Sequence, residues 1–309
     1  MRWTVIEQSV DCRNADERNP NSESYIPKSR YSAMNHYISD HEFVKDEHMD
    51  TMPIKYLNEY KETLIKEGLS ERLAEHVARI FTRDPVPAYE GEFIEDQIDD
   101  ENIVSHFENV QSTNWNSMRF KPPPSQDSKI GWRVEFRTMD IQLTDFENTC
   151  LIVLLGLLTN VCNHLNVNFI MPISMVDANM DRAHNRDALT TTKFWFNVNC
   201  FDKNNIESDL TKHDSLKSSD NSQNLMEPKF EELYIHEILN GKGDFPGMLN
   251  LIRIFMDMKG YSDEHKNQIE VMFDFINARS KGAIPTGAQF IRGVITNNPL
   301  YEKDSMVGP

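Results

Sequence analysis

The pattern of apolar residues predicts an α+β protein. Two observations carry that expectation. Apolar side chains recur at helical spacing in several capped segments, whereas residues 132–143 alternate with the two-residue period of a strand. At 309 residues, with 39% hydrophobic and 26% charged side chains, the chain is long enough to bury a substantial core.

Taken in order, TVIEQSV at residues 4–10 reads as a short strand, and the polar, turn-rich stretch after it as a loop. A short helix is expected over Ser32–Ser39. A second is expected from Ser70 to Thr82, with Ser70 as N-cap and Leu73, Val77, Ile80 and Phe81 on one face, stopped by Asp84-Pro85 and Pro87. The acidic run EDQIDDEN leads into a central segment in which Pro122-Pro123-Pro124 makes an extended connection. Trp132, Val134 and Phe136 then face one way and Arg133, Glu135 and Arg137 the other. Beyond Thr138 the apolar parity moves to Met139, Ile141 and Leu143, the change that a β-bulge produces.

A buried helix follows from Phe146 to Leu165, then a strand near Asn168–Met171 and a helix around Val176–Leu189. Residues 202–224 are polar and read as a mobile insertion. Further helices are expected over Glu231–Asn240, Pro246–Met258, Ser262–Arg279 (Ile269, Met272, Phe273 and Ile276 inward) and Thr286–Ile295. The expected domains are residues 1–200, a flexible insertion at 201–228 and a helical region at 229–309.

The net charge of −17 argues against nucleic acid, which requires a basic stripe, and against an anionic membrane surface. Four scattered cysteines, Cys12, Cys150, Cys162 and Cys200, form no CxxC pair, so a reduced cytoplasmic protein without structural zinc is expected. Met1-Arg2-Trp3 opens a mixed, charged segment and not a signal peptide. CLIVLLGLLTNVC is apolar enough to suggest a membrane span, yet Asn160, Asn163, Asn166 and Asn168 interrupt the run. No P-loop, dinucleotide fingerprint, HExxH or GxSxG pattern occurs.

The row Arg133, Glu135, Arg137 is the best chemical candidate. A carboxylate flanked by guanidinium groups stays ionised; it can bind Mg²⁺ while Arg137 clamps a phosphate. The alternative is a solvent-facing strand whose charges pair for solubility. Trp115 reads equally as a core aromatic, and Lys121 as a surface residue.

HFENVQSTNWNSMRFKPPP followed by GWRVEFRTMDIQLTDFEN closely resembles the C-terminal half of the eukaryotic glutamate–cysteine ligase catalytic subunit. VDCRNADERN, KSRYSAMNHYIS, LAEHVARIFTRDP, PISMVDANM and NGKGDFPG fall in the same family order, with departures at Cys12, Asn14 and Thr138. The resemblance implies an incomplete glutamine synthetase-like antiparallel half-barrel surrounded by helices. It also implies ATP-dependent joining of the glutamate γ-carboxylate to cysteine through γ-glutamyl phosphate, the first step of glutathione synthesis. By the same likeness Glu135 is a Mg²⁺ ligand, Arg137 holds the transferred phosphoryl group, Tyr31 and Trp115 line the cysteine pocket, and Arg2 or Arg30 pairs with a substrate carboxylate. A modifier subunit is the implied partner. Family catalytic subunits are considerably longer, so little or no ligase activity is expected of this chain alone; a truncated, non-catalytic binding module is the alternative reading.

Overall fold

The computed structural model describes residues 3–29, 31–32, 35–83, 118–121, 123, 128–131, 133–201 and 227–304. Its elements run α1 (Trp3–Val10), α2 (Ala15–Arg18), α3 (Asn58–Lys66), α4 (Glu71–Arg83), β1 (Met118–Lys121), β2 (Arg133–Phe136) and α5 (Asp145–Leu165). They continue α6 (Ile173–Arg182), α7 (Ala188–Thr191), β3 (Lys193–Asn197), β4 (Phe230–Tyr234), α8 (Ile235–Asn240), α9 (Met248–Met258), α10 (Asp263–Ser280) and α11 (Gly287–Thr296). The chain divides into two compact units, Met1–Met139 with Pro172–Met180 and Asp140–Met171 with Asp181–Pro309. This division differs from the expected boundary near residue 200, because Asp140–Met171 packs with the C-terminal helices. The insertion expected at 201–228 falls almost entirely outside the described residues.

In the first unit the expected strand at residues 4–10 is instead α1. No described strand lies beside it to complete a ladder, so its backbone N–H groups find partners within a helix. The loop after it is stapled by Arg13, which clasps the Asp11 carboxylate at 2.8 and 3.0 Å and donates to the Ile26 carbonyl at 2.7 Å. That clasp holds the Asp11 carboxyl below its ordinary range. Within the same loop Asn14 caps the single turn α2 in a reciprocal capping box with Glu17. Asn35–Ser39, expected to be helical, is irregular, and the buried Asn35 and His36 face the interior.

The helix expected over Ser70–Thr82 forms as α4 and packs on α3. Ala74, Ala78 and Ile80 are buried, and Lys61 of α3 reaches Glu71 and Glu75 of α4 at 3.0 and 2.9 Å. α6 is tied into the unit where Asp50 accepts from the Ser174 amide at 2.9 Å and its hydroxyl at 2.5 Å, and where Lys28 pairs with Asp177 at 2.5 Å.

The second unit holds a continuous apolar core. Cys150, Leu157, Val161 and Leu165 of α5 meet Leu249, Ile252, Phe255 and Met256 of α9, Phe273 and Ile276 of α10, and Leu233 of β4. Each fully buried side chain of this size contributes about 1.5–3 kcal/mol. α5 is the one helix among the described residues long and apolar enough to cross a membrane. Here it buries one stripe and exposes Thr149, Ile152, Gly156, Thr159, Asn160 and Asn163 on the other side.

Residues 168–171, expected as a strand, join no ladder. The wholly buried Asn197 ties them down: its amide donates to the Asn168 carbonyl at 3.0 Å while its oxygen accepts from Asn199 and Lys229. The helix expected over Val176–Leu189 is displaced, running Ile173–Arg182, and a turn separates it from α7. Phe230–Tyr234 is a strand where a helix is expected, since it pairs antiparallel with Lys193–Asn197; α8 begins only after Tyr234. The remaining helices form close to their expected limits, capped by Ser262 and Thr286.

Candidate functional site

β1 and β2 form an antiparallel pair in the first unit, with Arg119 opposite Glu135 and Lys121 opposite Arg133. Residues directly opposite in such a pair share a face. Arg119, Lys121, Arg133 and Glu135 therefore lie on one side, and Met118, Val134 and Phe136 on the other. Arg137, just past the strand, keeps the same side: its Nε donates to Glu135 Oε1 at 2.8 Å. Lys121 Nζ engages the second carboxylate oxygen. Hydrogen bonds from Lys121 and then Arg137 pull the Glu135 carboxyl down to about 2.

Two cations, Lys121 and Arg137, hold the Glu135 carboxylate and two more, Arg119 and Arg133, share its face, in a chain whose net charge is −17. Arg119 adds a further sign of unspent donor capacity, because its buried Nε has no hydrogen-bond partner among the described residues. A guanidinium left this way costs about 1–3 kcal/mol unless an acceptor arrives. The donor set suits phosphate or phosphoryl oxygens, which take bidentate and charge-assisted hydrogen bonds from such groups.

It suits a lone Mg²⁺ ion less well. Both oxygens of Glu135 already accept from cations, and among the described residues no group of three or more His, Cys, Asp or Glu gathers to hold a metal. Mg²⁺ requires several anionic or neutral oxygens in octahedral array, and these residues by themselves do not provide them.

The strand expected over 132–143 ends at Phe136, and no bulge follows. The chain leaves the ladder, and the Gln142 and Leu143 amides donate instead to Asn148 Oδ1 and Glu147 Oε2 at the start of α5. The change of parity at Thr138 therefore marks the end of a strand. Tyr31 sits half-buried in the turn closed by the Ser32 amide and the Ser29 carbonyl at 3.1 Å. Arg2, Arg30, Trp115 and Trp132 lie outside the described residues, as does most of the triple proline.

Sequence alone does not single out Arg119, and it reads Lys121 as a surface residue. The alternation of MRFK, apolar then charged twice over, matches that of RVEF and is the signal that could have found both.

A family profile for glutamate–cysteine ligase matches residues 1–309. The chain belongs to the glutamate–cysteine ligase family. It is 39% identical over 311 residues to the glutamate–cysteine ligase of Schizosaccharomyces pombe, covering 99% of this chain and 42% of that protein. Similarity to the Dictyostelium discoideum glutamate–cysteine ligase is 37% over 312 residues, covering 99% and 46% respectively. The human glutamate–cysteine ligase catalytic subunit is 37% identical over 311 residues, with 99% and 47% covered. The chain thus spans a little under half the length of these glutamate–cysteine ligases, and its charged hairpin lies inside the matched region.

Proposed function

We propose that this chain supplies the phosphate-binding part of a glutamate–cysteine ligase active site. The observation that carries the reading is the β1–β2 face, where Lys121 and Arg137 hold one ionised carboxylate and Arg119 and Arg133 lie on the same side. The reaction is the ATP-dependent formation of γ-glutamylcysteine. Phosphorylation of the glutamate γ-carboxylate makes the γ-carbon an acyl phosphate, and the cysteine amine attacks it with loss of phosphate. Negative charge builds on the phosphoryl oxygens in the first step and on the departing phosphate in the second. Fixed cations stabilise that charge most where water is excluded.

In this reading Arg137 and Arg119 hold phosphoryl oxygens, and Lys121 meets them as a point charge. Glu135 keeps Lys121 and Arg137 in place before the nucleotide binds, and it is the carboxylate this face offers toward Mg²⁺ carried in with ATP. Tyr31 and Trp115 line the cysteine pocket, and Arg2 or Arg30 pairs with a substrate carboxylate. The hairpin would form part of an antiparallel half-barrel; the setting would be the cytoplasm, and a modifier subunit the partner.

The test uses this chain produced together with the portion of the S. pombe ligase outside the matched region. Phosphate release dependent on ATP, glutamate and cysteine is measured against the same pair carrying Arg137→Met or Glu135→Gln. The expected result is a fall of at least about 100-fold in kcat for each variant, the size seen when a preorganised donor to a developing anion is removed. Unchanged turnover in both variants would leave the charged row as a surface ion-pair network. The chain alone is expected to show no turnover above blank.

A further inference from the structure

Residues 23–29 belong to no helix or strand, yet groups from elsewhere in the first unit hold them in place. Lys55 Nζ donates to the Glu23 carbonyl at 2.7 Å. The Ile26 amide donates to the Glu17 carbonyl at 2.8 Å, and the Ile26 carbonyl is the one that Arg13 reaches. Two residues on, Lys28 pairs with Asp177 of α6. Ser29 follows, wholly buried, with its hydroxyl donating to Glu7 Oε1 of α1 at 3.4 Å. The Ser29 carbonyl then closes the turn by accepting the Ser32 amide, and Tyr31 lies within that turn.

The post that holds Lys28 is itself fixed. Ser174 and Asp177 stand three residues apart on α6 and so share one side of the helix. Asp50 grips both the amide and the hydroxyl of Ser174, and Ile173 beside it is wholly buried. The Lys28 and Asp177 side chains are themselves mostly withdrawn from water, 14% and 25% exposed. Such a pair regains in attraction roughly what it loses in hydration, so what it chiefly supplies is a fixed direction.

We propose that Asp177 is a positioning residue for cysteine binding. By holding Lys28 it fixes the turn that ends at Ser32, and with it the place of Tyr31. The proposal rests on the reading that Tyr31 lines the cysteine pocket. Asp177 touches no substrate in this account; it acts through Lys28 and the backbone between Lys28 and Tyr31. Releasing the turn shifts one wall of the cysteine pocket and leaves the cations of the β1–β2 face where they are. Cysteine binding therefore suffers, whereas nucleotide binding and the phosphoryl step do not.

Kinetics test this with the pair of polypeptides described above, this chain and the remaining portion of the S. pombe ligase. The variants are Asp177→Asn, Lys28→Met, the two combined, and Tyr31→Ala as the reference. Asp177→Asn and Lys28→Met should each raise the KM for cysteine at least about tenfold, with kcat and the KM for ATP within about twofold of the parent. The double variant should be no worse than either single one, because both break the same contact. A cysteine KM that stays put in Asp177→Asn while Tyr31→Ala raises it overturns the proposal. So do effects that multiply in the double variant, or a parallel rise in the KM for ATP, which marks general loosening.

Hydrogen exchange of the chain alone supplies a second readout. The Ser32 amide, followed by mass spectrometry of the peptide that contains it, should exchange at least about tenfold faster in Asp177→Asn and in Lys28→Met, with α4 unchanged. Exchange equal to that of the parent overturns the proposal whatever the kinetics show. If Tyr31→Ala leaves the KM for cysteine unmoved, the pocket reading fails and the role in cysteine binding falls with it; faster exchange would then show only that Asp177 holds the turn.

Discussion

Lowering the pH from 7 to 5 should destabilise the first unit, chiefly through His36. The ring is 3% exposed. Burial, and next the positive charge of Arg79, push it down to about 4; Glu75 and a hydrogen bond to the Arg72 backbone oppose them. In the unfolded chain the same ring titrates near 6.5.

The sign follows from those two values. Above pH 6.5 both states are neutral and His36 contributes nothing to pH dependence. Below it the unfolded chain takes a proton that the folded chain refuses, so stability falls until the folded ring also titrates near pH 4. A difference of this size is worth about 3 kcal/mol over the whole window, and about 2 kcal/mol between pH 7 and pH 5. His48 is depressed by burial as well and adds to the fall in the same direction. Urea unfolding at pH 7, 6 and 5, followed by circular dichroism, measures the total; the difference between parent and His36→Leu isolates this ring. Leucine fills a similar volume with no group to titrate, so it should cost little at pH 7 and flatten the slope by about 2 kcal/mol at pH 5. If parent and variant lose stability in parallel, the ring is protonated in the fold and the reasoning is wrong.

Other substitutions probe the second unit. Phe273→Ala removes a side chain at the centre of the core and should cost about 3–5 kcal/mol, a drop of roughly 10 °C in the thermal midpoint. Arg279 donates to Gln142 at 2.8 Å and Glu147 at 2.9 Å, both carboxylate and guanidinium being largely buried, so Arg279→Met should cost about 3 kcal/mol by chemical denaturation. Lys in its place, with one point charge for two acceptors, should recover only part of that loss. Gly247 has φ of +89°, and a Cβ there would collide with the backbone of Asn240 and Gly241; Gly247→Ala should lose more than ~2 kcal/mol and much of its soluble yield.

Local chemistry was readable before any coordinates. α4, α10 and α11 announce themselves through spacing and caps at Ser262 and Thr286, because a helix closes its hydrogen bonds within a few residues. The alternation that singled out Glu135 and Arg137 is equally local, and the structure brings that pair into contact. Pairings between distant segments were not readable. Phe230–Tyr234 is a strand only because Lys193–Asn197 lies beside it, and α1 is a helix where its β-branched residues suggest a strand.

Arg119 shows the same limit at the site. Nothing at position 119 alone distinguishes it from a surface cation; register with Glu135 places it on the charged face. The hydrogen bond from Gln289 of α11 to Asp187, 102 residues upstream, was likewise not readable from periodicity. Periodicity states that two faces differ, whereas which one looks inward depends on the partner that tertiary packing supplies.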